Sequence, residues 1–279
     1  MKVLVIGSGT MGTGIAQVLL QGNNQVVLYD INQDALTKGM ERISKSLSKL
    51  ISKNKINEEQ KASYLQSLSI TTRVEECRDV ALVIEAATEH MPIKKEIFKM
   101  LDGVIQNTAI LATNTSSLSI TEIAAVTSRP DKVIGVHFFN PAPVMKLVEL
   151  IKGLATSDET FTIVNEFITS INKKPILVEE APGFVVNRLL IPMINEAIGI
   201  YAEGIASAEN IDQAMKLGAN HPLGPLELAD LIGNDVNLAI METLHKEFGD
   251  PKYRPHPYLK KMVRAGKFGK KSGEGFYIY

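Results

Sequence analysis

The segment that most constrains this chain is Gly7-Ser8-Gly9-Thr10-Met11-Gly12, a G-x-G-x-x-G string directly behind the apolar run Lys2-Val3-Leu4-Val5-Ile6. Alone the string is weak; its setting gives it force. A buried strand that turns through glycines into a helix opens a parallel βαβ unit. A second apolar run, Gln25–Tyr29, ends at Asp30, 23 residues after Gly7. Gly7 permits the tight turn, Gly9 lets the backbone approach a diphosphate, and Gly12 lets helix and strand pack closely. Thr10 and Met11 open the helix, whose N-terminal N–H groups and dipole favour an anion. Asp30 can accept from both hydroxyls of a ribose and repels a 2′-phosphate, and Ile31-Asn32-Gln33 bring no arginine to hold one. The pattern fits a dinucleotide, NAD rather than NADP. The plainer alternative is a glycine turn that binds nothing.

Further candidate strands are Val80–Ile84, Ala109–Ala112, Val133–Val136, Leu147–Ile151 and Ile176–Val178. Helix-length stretches lie between most of them, such as Met11–Gln21, Ile93–Val104 and Asp158–Ile171. Buried strands alternating with helices predict an α/β fold with a Rossmann-type, mostly parallel sheet covered on both faces. After Pro182-Gly183 helical periodicity takes over, near Phe184–Tyr201, Ala208–Leu217, Leu226–Phe248 and Pro257–Ala265. Strand character returns only at Phe276-Tyr277-Ile278-Tyr279. The expected division is therefore a nucleotide-binding domain over residues 1–181 and a smaller all-helical domain over 182–279.

With 30 basic and 31 acidic residues the formal net charge is −1. That excludes a general nucleic-acid or membrane-surface binder, which needs a basic excess. Cys77 is the single cysteine, so no intramolecular disulfide and no thiolate zinc cluster can form. No apolar run approaches the roughly 20 residues that span a bilayer. The first apolar run stops at Ile6, short of a secretory signal, so the expected location is the cytosol.

The connection from Ile31 to about Leu68, ahead of the third strand, is long enough for a helix pair, an insertion at about residues 33–67. Within it Lys38, Arg42, Lys45, Lys49 and Lys53 recur at helical spacing, with Glu41 the only acid among them. Met40, Ile43, Leu47 and Leu50 make a second, apolar face. Such a stripe is either a solvated surface or the seat of a ligand with several phosphates.

Val133–His137 reads as a strand that ends in the turn Asn140-Pro141-Ala142-Pro143, and Leu147–Ile151 resumes it. If the two fold back near Pro143, His137 stands opposite Glu149. A carboxylate on an imidazole fixes its tautomer, so the pair suits a general base and its orienter; a structural histidine is the alternative. Asn114-Thr115-Ser116-Ser117 follows the fifth strand, at the carboxyl end where open sheets bind ligands. Ser116 or Ser117 could bond a substrate oxygen or cap a helix. A Ser116-His137-Glu149 hydrolase triad is rejected: there is no G-x-S-x-G elbow, and a dinucleotide has no role in acyl hydrolysis. Asn187, near the start of the helix after Pro182-Gly183, carries an amide amid apolar neighbours.

These segments, with Pro182-Gly183-Phe184-Val185-Val186-Asn187-Arg188 and Lys270-Lys271-Ser272-Gly273-Glu274-Gly275-Phe276-Tyr277, resemble the 3-hydroxyacyl-CoA dehydrogenases along the whole chain, nearest the short bacterial 3-hydroxybutyryl-CoA type. The resemblance implies an NAD-linked oxidoreductase that interconverts a (3S)-3-hydroxyacyl-CoA and its 3-ketoacyl-CoA, with an acyl-CoA thioester as partner. It implies catalytic roles for His137, Glu149, Ser116 and Asn187. It also implies cofactor contacts at Glu89, Lys94, Asn114, Ser116, Asn140 and Lys271 beside the glycine turn and Asp30. Ser46 and Lys53 match CoA contacts, which draws Lys49 and the stripe into the substrate site. The family usually dimerises through its helical domain. Two such domains account for the whole length, leaving none for a fused partner enzyme. Related dehydrogenases of free hydroxy acids, or a non-catalytic NAD-binding protein, are the alternatives; a free acid gives the stripe no polyphosphate to bind.

Overall fold

The computed structural model describes all 279 residues. They divide into two compact units, Met1–Glu180 and Ala181–Tyr279. The first is built in the order β1 (Lys2–Ile6), α1 (Thr10–Gln21), β2 (Gln25–Tyr29), α2 (Gln33–Ile51), α3 (Glu58–Gln66), β3 (Leu68–Thr71) and β4 (Leu82–Glu85). It continues with α4 (Met91–Val104), β5 (Ile110–Thr113), α5 (Ile120–Ala124), β6 (Val133–Phe138), β7 (Leu147–Lys152), α6 (Asp158–Ser170) and β8 (Lys174–Glu179). The strands form one sheet in the order β3-β2-β1-β4-β5-β6-β7-β8. Every pairing is parallel except β6 with β7. This is the expected mostly parallel Rossmann-type sheet.

The central strands are buried because their sequences are apolar on both faces: Val3, Leu4, Val5, Val83, Ile84 and Leu111 are fully enclosed, as a sheet covered by helices requires. Ile15, Leu19 and Leu20 from α1 and Leu36, Ile43 and Leu47 from α2 share one core with Val3, Val5 and Ile84. Asn32 caps α2 by accepting from the Asp34 and Ala35 N–H groups. A capping box of Asn57 and Gln60 starts α3. Both satisfy backbone donors that a helix start leaves orphaned.

Three expectations need correction. The third strand, Leu68–Thr71, is not one of the apolar runs: it sits at the sheet edge and alternates with Ser and Thr, so its burial signal is weak. The fourth and fifth strands lie at Leu82–Glu85 and Ile110–Thr113, shifted toward polar ends that face the site. On α2 the apolar face runs through Leu36, Gly39, Ile43 and Leu47, and Met40 is exposed.

The second unit is helical: α7 (Val186–Ala202), α8 (Ala208–Gly218), α9 (Pro225–Ile232), α10 (Asn234–Phe248) and α11 (Pro257–Arg264). Ile194, Ile198, Leu226, Met241, Leu244 and Leu259 fill its core. The single helix expected over Leu226–Phe248 is two, because Gly233 breaks it at φ +108°, a conformation that closes a helix and that side-chain-bearing residues avoid. The last residues are not a sheet strand. Glu274 bridges singly to Gly269 and Ile278, while the Phe276 and Tyr277 N–H groups donate to the buried Asp230 carboxylate at 3.0 and 2.9 Å. Their apolar side chains pack on the helical core instead. No helix is long and apolar enough to cross a membrane.

Candidate active site

The turn between β1 and α1 has the shape a diphosphate needs. Gly7 adopts φ +95°, and a Cβ on Gly12 would stand 1.8 Å from the Gly7 carbonyl oxygen, so only glycine fits there. Nothing lies within 4 Å of where a Gly9 side chain would begin, and no side chain caps the α1 N-terminus that Gly9 introduces. Thr10 is exposed and Met11 half-buried at that helix start. The backbone donors therefore face open space at the positive end of a helix dipole, which fits the pyrophosphate of a dinucleotide. Asp30 closes the far side: its Oδ2 accepts from the Ser8 N–H at 2.8 Å and the Ser8 hydroxyl at 2.7 Å, and its Oδ1 accepts from the Asn32 N–H.

Beyond β4 a chain of charges ties three loops together. Lys94 is 1% exposed and donates to both oxygens of Glu85, which is wholly buried, at 2.8 Å each. Glu85 also accepts from the Thr113 hydroxyl at 2.6 Å and the Ala87 N–H at 2.7 Å. Lys94 lies 3.6 Å from Glu89. The other oxygen of Glu89 accepts from the Thr115 hydroxyl, the Ser116 N–H and the Ser116 hydroxyl at 2.7, 2.8 and 3.0 Å. Glu89, Lys94 and Ser116, matched to functional positions one by one, are thus neighbours. Glu85 and Thr115 escape the sequence reading. The signal for Glu85 is an acid closing the strand Leu82-Val83-Ile84-Glu85, where an unpaired charge could not remain.

On the next strands the fold-back register is the one that the turn near Pro143 predicts. His137 pairs with Glu149 between β6 and β7, and His137 Nδ1 lies 2.8 Å from Glu149 Oε2. Both side chains are buried, at 6% and 1% exposure. A carboxylate only accepts, so Nδ1 carries the hydrogen and Nε2 is the basic nitrogen. The Phe139 ring tilts against the imidazole at 4.4 Å between centroids. Asn114 Oδ1 accepts from the Phe138 N–H at 2.8 Å, tying the end of β5 to the residue after the histidine. Asn140 is exposed and precedes Pro141 through a cis peptide bond. The turn that follows is held from below by Lys173, whose ammonium donates to the Ala142 and Met145 carbonyls; burial holds that amine below the usual lysine range.

The stripe lies on α2, except that Lys53 falls in the turn just after it. Lys38, Lys45, Lys49 and Lys53 are exposed, with Ser46 half-buried between them. None of the four enters an ion pair within the chain. In the helical unit Asn187 is buried in the first turn of α7, and Lys271 donates to Asp235 at 2.6 Å.

Residues 2–181 match the family described as 3-hydroxyacyl-CoA dehydrogenase, NAD binding domain, and residues 183–279 its C-terminal domain. The chain belongs to the 3-hydroxyacyl-CoA dehydrogenase family. It is 58% identical over 279 residues to a 3-hydroxybutyryl-CoA dehydrogenase of Clostridioides difficile, covering 100% of this chain and 99% of that one. It is 46% identical to the mitochondrial hydroxyacyl-coenzyme A dehydrogenase of Homo sapiens, over 99% of this chain and 90% of that one. Among solved structures it superimposes on (S)-3-hydroxybutyryl-CoA dehydrogenase from Ralstonia eutropha with a TM-score of 0.96. There the identity is 51%, and 100% of this chain and 98% of that one are covered. In this family the glycine turn, Asp30 and the sheet's carboxyl edge belong to an NAD-binding domain.

Proposed function

We propose that this dehydrogenase interconverts (3S)-3-hydroxybutyryl-CoA and acetoacetyl-CoA with NAD, and that His137 and Glu149 handle the proton. The observation that carries the reading is the buried His137–Glu149 pair on β6 and β7, in the same domain as the dinucleotide turn. Bound NAD supplies the hydride chemistry at C3. The chain itself must place C3 and move one proton. Nε2 of His137 takes the proton of the 3-hydroxyl during oxidation and returns it during reduction. Glu149 holds Nδ1–H, keeps the ring in that tautomer, and steadies positive charge on the imidazole while it carries the proton. Ser116, anchored through Glu89, bonds the reacting oxygen. Asn114, Asn140, Glu89 and Lys94 would border the nicotinamide end, while Gly7, Gly9, Thr10, Met11, Gly12 and Asp30 would hold the diphosphate and ribose.

The same reading gives the Asn187 amide to the substrate and Lys271 to the cofactor. Ser46, Lys49 and Lys53 receive the CoA phosphates, since exposed, unpaired lysines offer an anion charge that no acid within the chain compensates. The enzyme acts in the cytoplasm as a homodimer formed through the helical unit, whose exposed Leu189, Leu217 and Leu231 support a second copy as their cover.

Steady-state oxidation of NADH by acetoacetyl-CoA, by longer 3-ketoacyl-CoAs and by free acetoacetate tests the reading. The expected order places acetoacetyl-CoA first and the free acid far behind. Equal turnover of acetoacetate would overturn the CoA assignment, and light scattering that gives a monomer mass would overturn the dimer.

A further inference from the structure

The five cations of α2 and its following turn do not all behave alike. All five are exposed, but only Arg42 reaches the dinucleotide turn, where its Nη1 donates to the Ser8 carbonyl oxygen at 3.2 Å. The approach is built into the helix. One turn earlier, a Cβ on Gly39 would stand 3.2 Å from the Ser8 side chain, so α2 lies directly against the dinucleotide turn at this point. Ser8 is therefore bonded on both sides of its chemistry: its donors go to Asp30, and its carbonyl accepts from Arg42. Asp30 and Arg42 form no ion pair with each other, and the bond to Ser8 is the only hydrogen bond of the Arg42 side chain within the protein. A guanidinium has five N–H donors in a fork that matches phosphate. Its remaining donors sit on a side chain joined through Ser8 to the acid that would hold the adenosine ribose.

We propose that Arg42 is a cofactor-specificity residue, a latent receptor for a 2′-phosphate whose use Asp30 suppresses. NADP differs from NAD by a phosphate on the ribose hydroxyl that Asp30 would accept. A carboxylate there repels that phosphate, and a guanidinium next door attracts it. The preference for NAD is then the difference of two opposed contacts, with the attractive one supplied twelve residues after Asp30 rather than by Ile31-Asn32-Gln33. The proposal rests on reading the glycine turn as the cofactor site.

The test is calorimetric titration of the full chain with 5′-ADP, 2′,5′-ADP and 3′,5′-ADP, none of which requires turnover. In Asp30→Asn, which keeps an oxygen acceptor for Ser8, affinity for 2′,5′-ADP should rise about tenfold relative to 5′-ADP. Adding Arg42→Gln should abolish that rise and leave 5′-ADP unchanged. A rise that survives in the double variant overturns the proposal. So does an Arg42→Gln effect confined to 3′,5′-ADP, which would assign the guanidinium to CoA. Should Asp30→Asn fail to fold, Arg42→Gln alone decides: the preference for 5′-ADP over 2′,5′-ADP must widen by about tenfold, and an unchanged ratio is fatal. If the wild-type chain binds no 5′-ADP, the cofactor reading falls, and this proposal with it.

Discussion

Among single residues, two buried polar pairs divide the labour. His137 and Glu149 put a titratable ring at the sheet's carboxyl edge, and His137→Gln should lower turnover of acetoacetyl-CoA by about 10²–10⁴-fold or more. NADH affinity, measured by titration, should stay near wild type, because the histidine belongs to neither the glycine turn nor Asp30. Glu85 and Lys94 act differently, since the carboxylate neutralises a lysine that has almost no access to water. Removing Glu85 takes away both short bonds of the buried ammonium and leaves it only the longer 3.6 Å approach to Glu89. Glu85→Ala should therefore cost about 3–5 kcal/mol in urea unfolding, whereas the same change at an exposed acid such as Glu96 should cost little. Position 85 can be suspected from an acid in an apolar strand, but its partner nine residues later cannot be chosen among Lys94, Lys95 and Lys99 by pattern alone.

Elements decide how these residues are presented. The antiparallel return of β7 against β6 turns a separation of twelve residues into a hydrogen bond. The turn near Pro143 makes that pairing readable from the chain. The break between α9 and α10 is harder to read, since the Leu226–Phe248 run keeps its apolar spacing through Gly233. A side chain at 233 would need a strained φ and would crowd Asp235 and the Lys271 ammonium at 2.9 and 3.0 Å. Gly233→Ala should destabilise the chain by about 1–3 kcal/mol, seen as a lower thermal midpoint. On α2 and its following turn, replacing Lys49 and Lys53 together by Glu should raise the apparent KM for acetoacetyl-CoA several-fold more than that for NADH. Equal effects on both would place the stripe outside the CoA site.

Taken over both units, each holds a buried or half-buried group that resists losing its proton. In the first, burial pushes the Cys77 thiol up to about 11. In the second, burial and then the hydrogen bond to Asp212 push the Tyr277 phenol well above the usual range. A folded-state value raised above the unfolded one contributes stability below the unfolded value, which is lost as pH climbs through the folded one. Urea midpoints should therefore hold at neutral pH and decline from about pH 8.5 upward, where the unfolded thiol and then the phenol ionise first. Tyr277→Phe should flatten part of that decline. A decline of the same slope in this variant would put its cause elsewhere.

The order of residues is enough to read the sheet class, the glycine turn with Asp30, the helix pair behind it and the facing of His137 and Glu149. Each depends on local periodicity or on chain geometry over a few dozen residues, which the order of side chains states directly. Packing in three dimensions set which lysine meets Glu85, sent the last residues to Asp230 instead of into a strand, and brought Arg42 of the basic stripe to Ser8. Those outcomes depend on which surfaces are brought within about 3 Å. Contact at that range is set by how whole elements pack, and spacing along the chain carries no record of it.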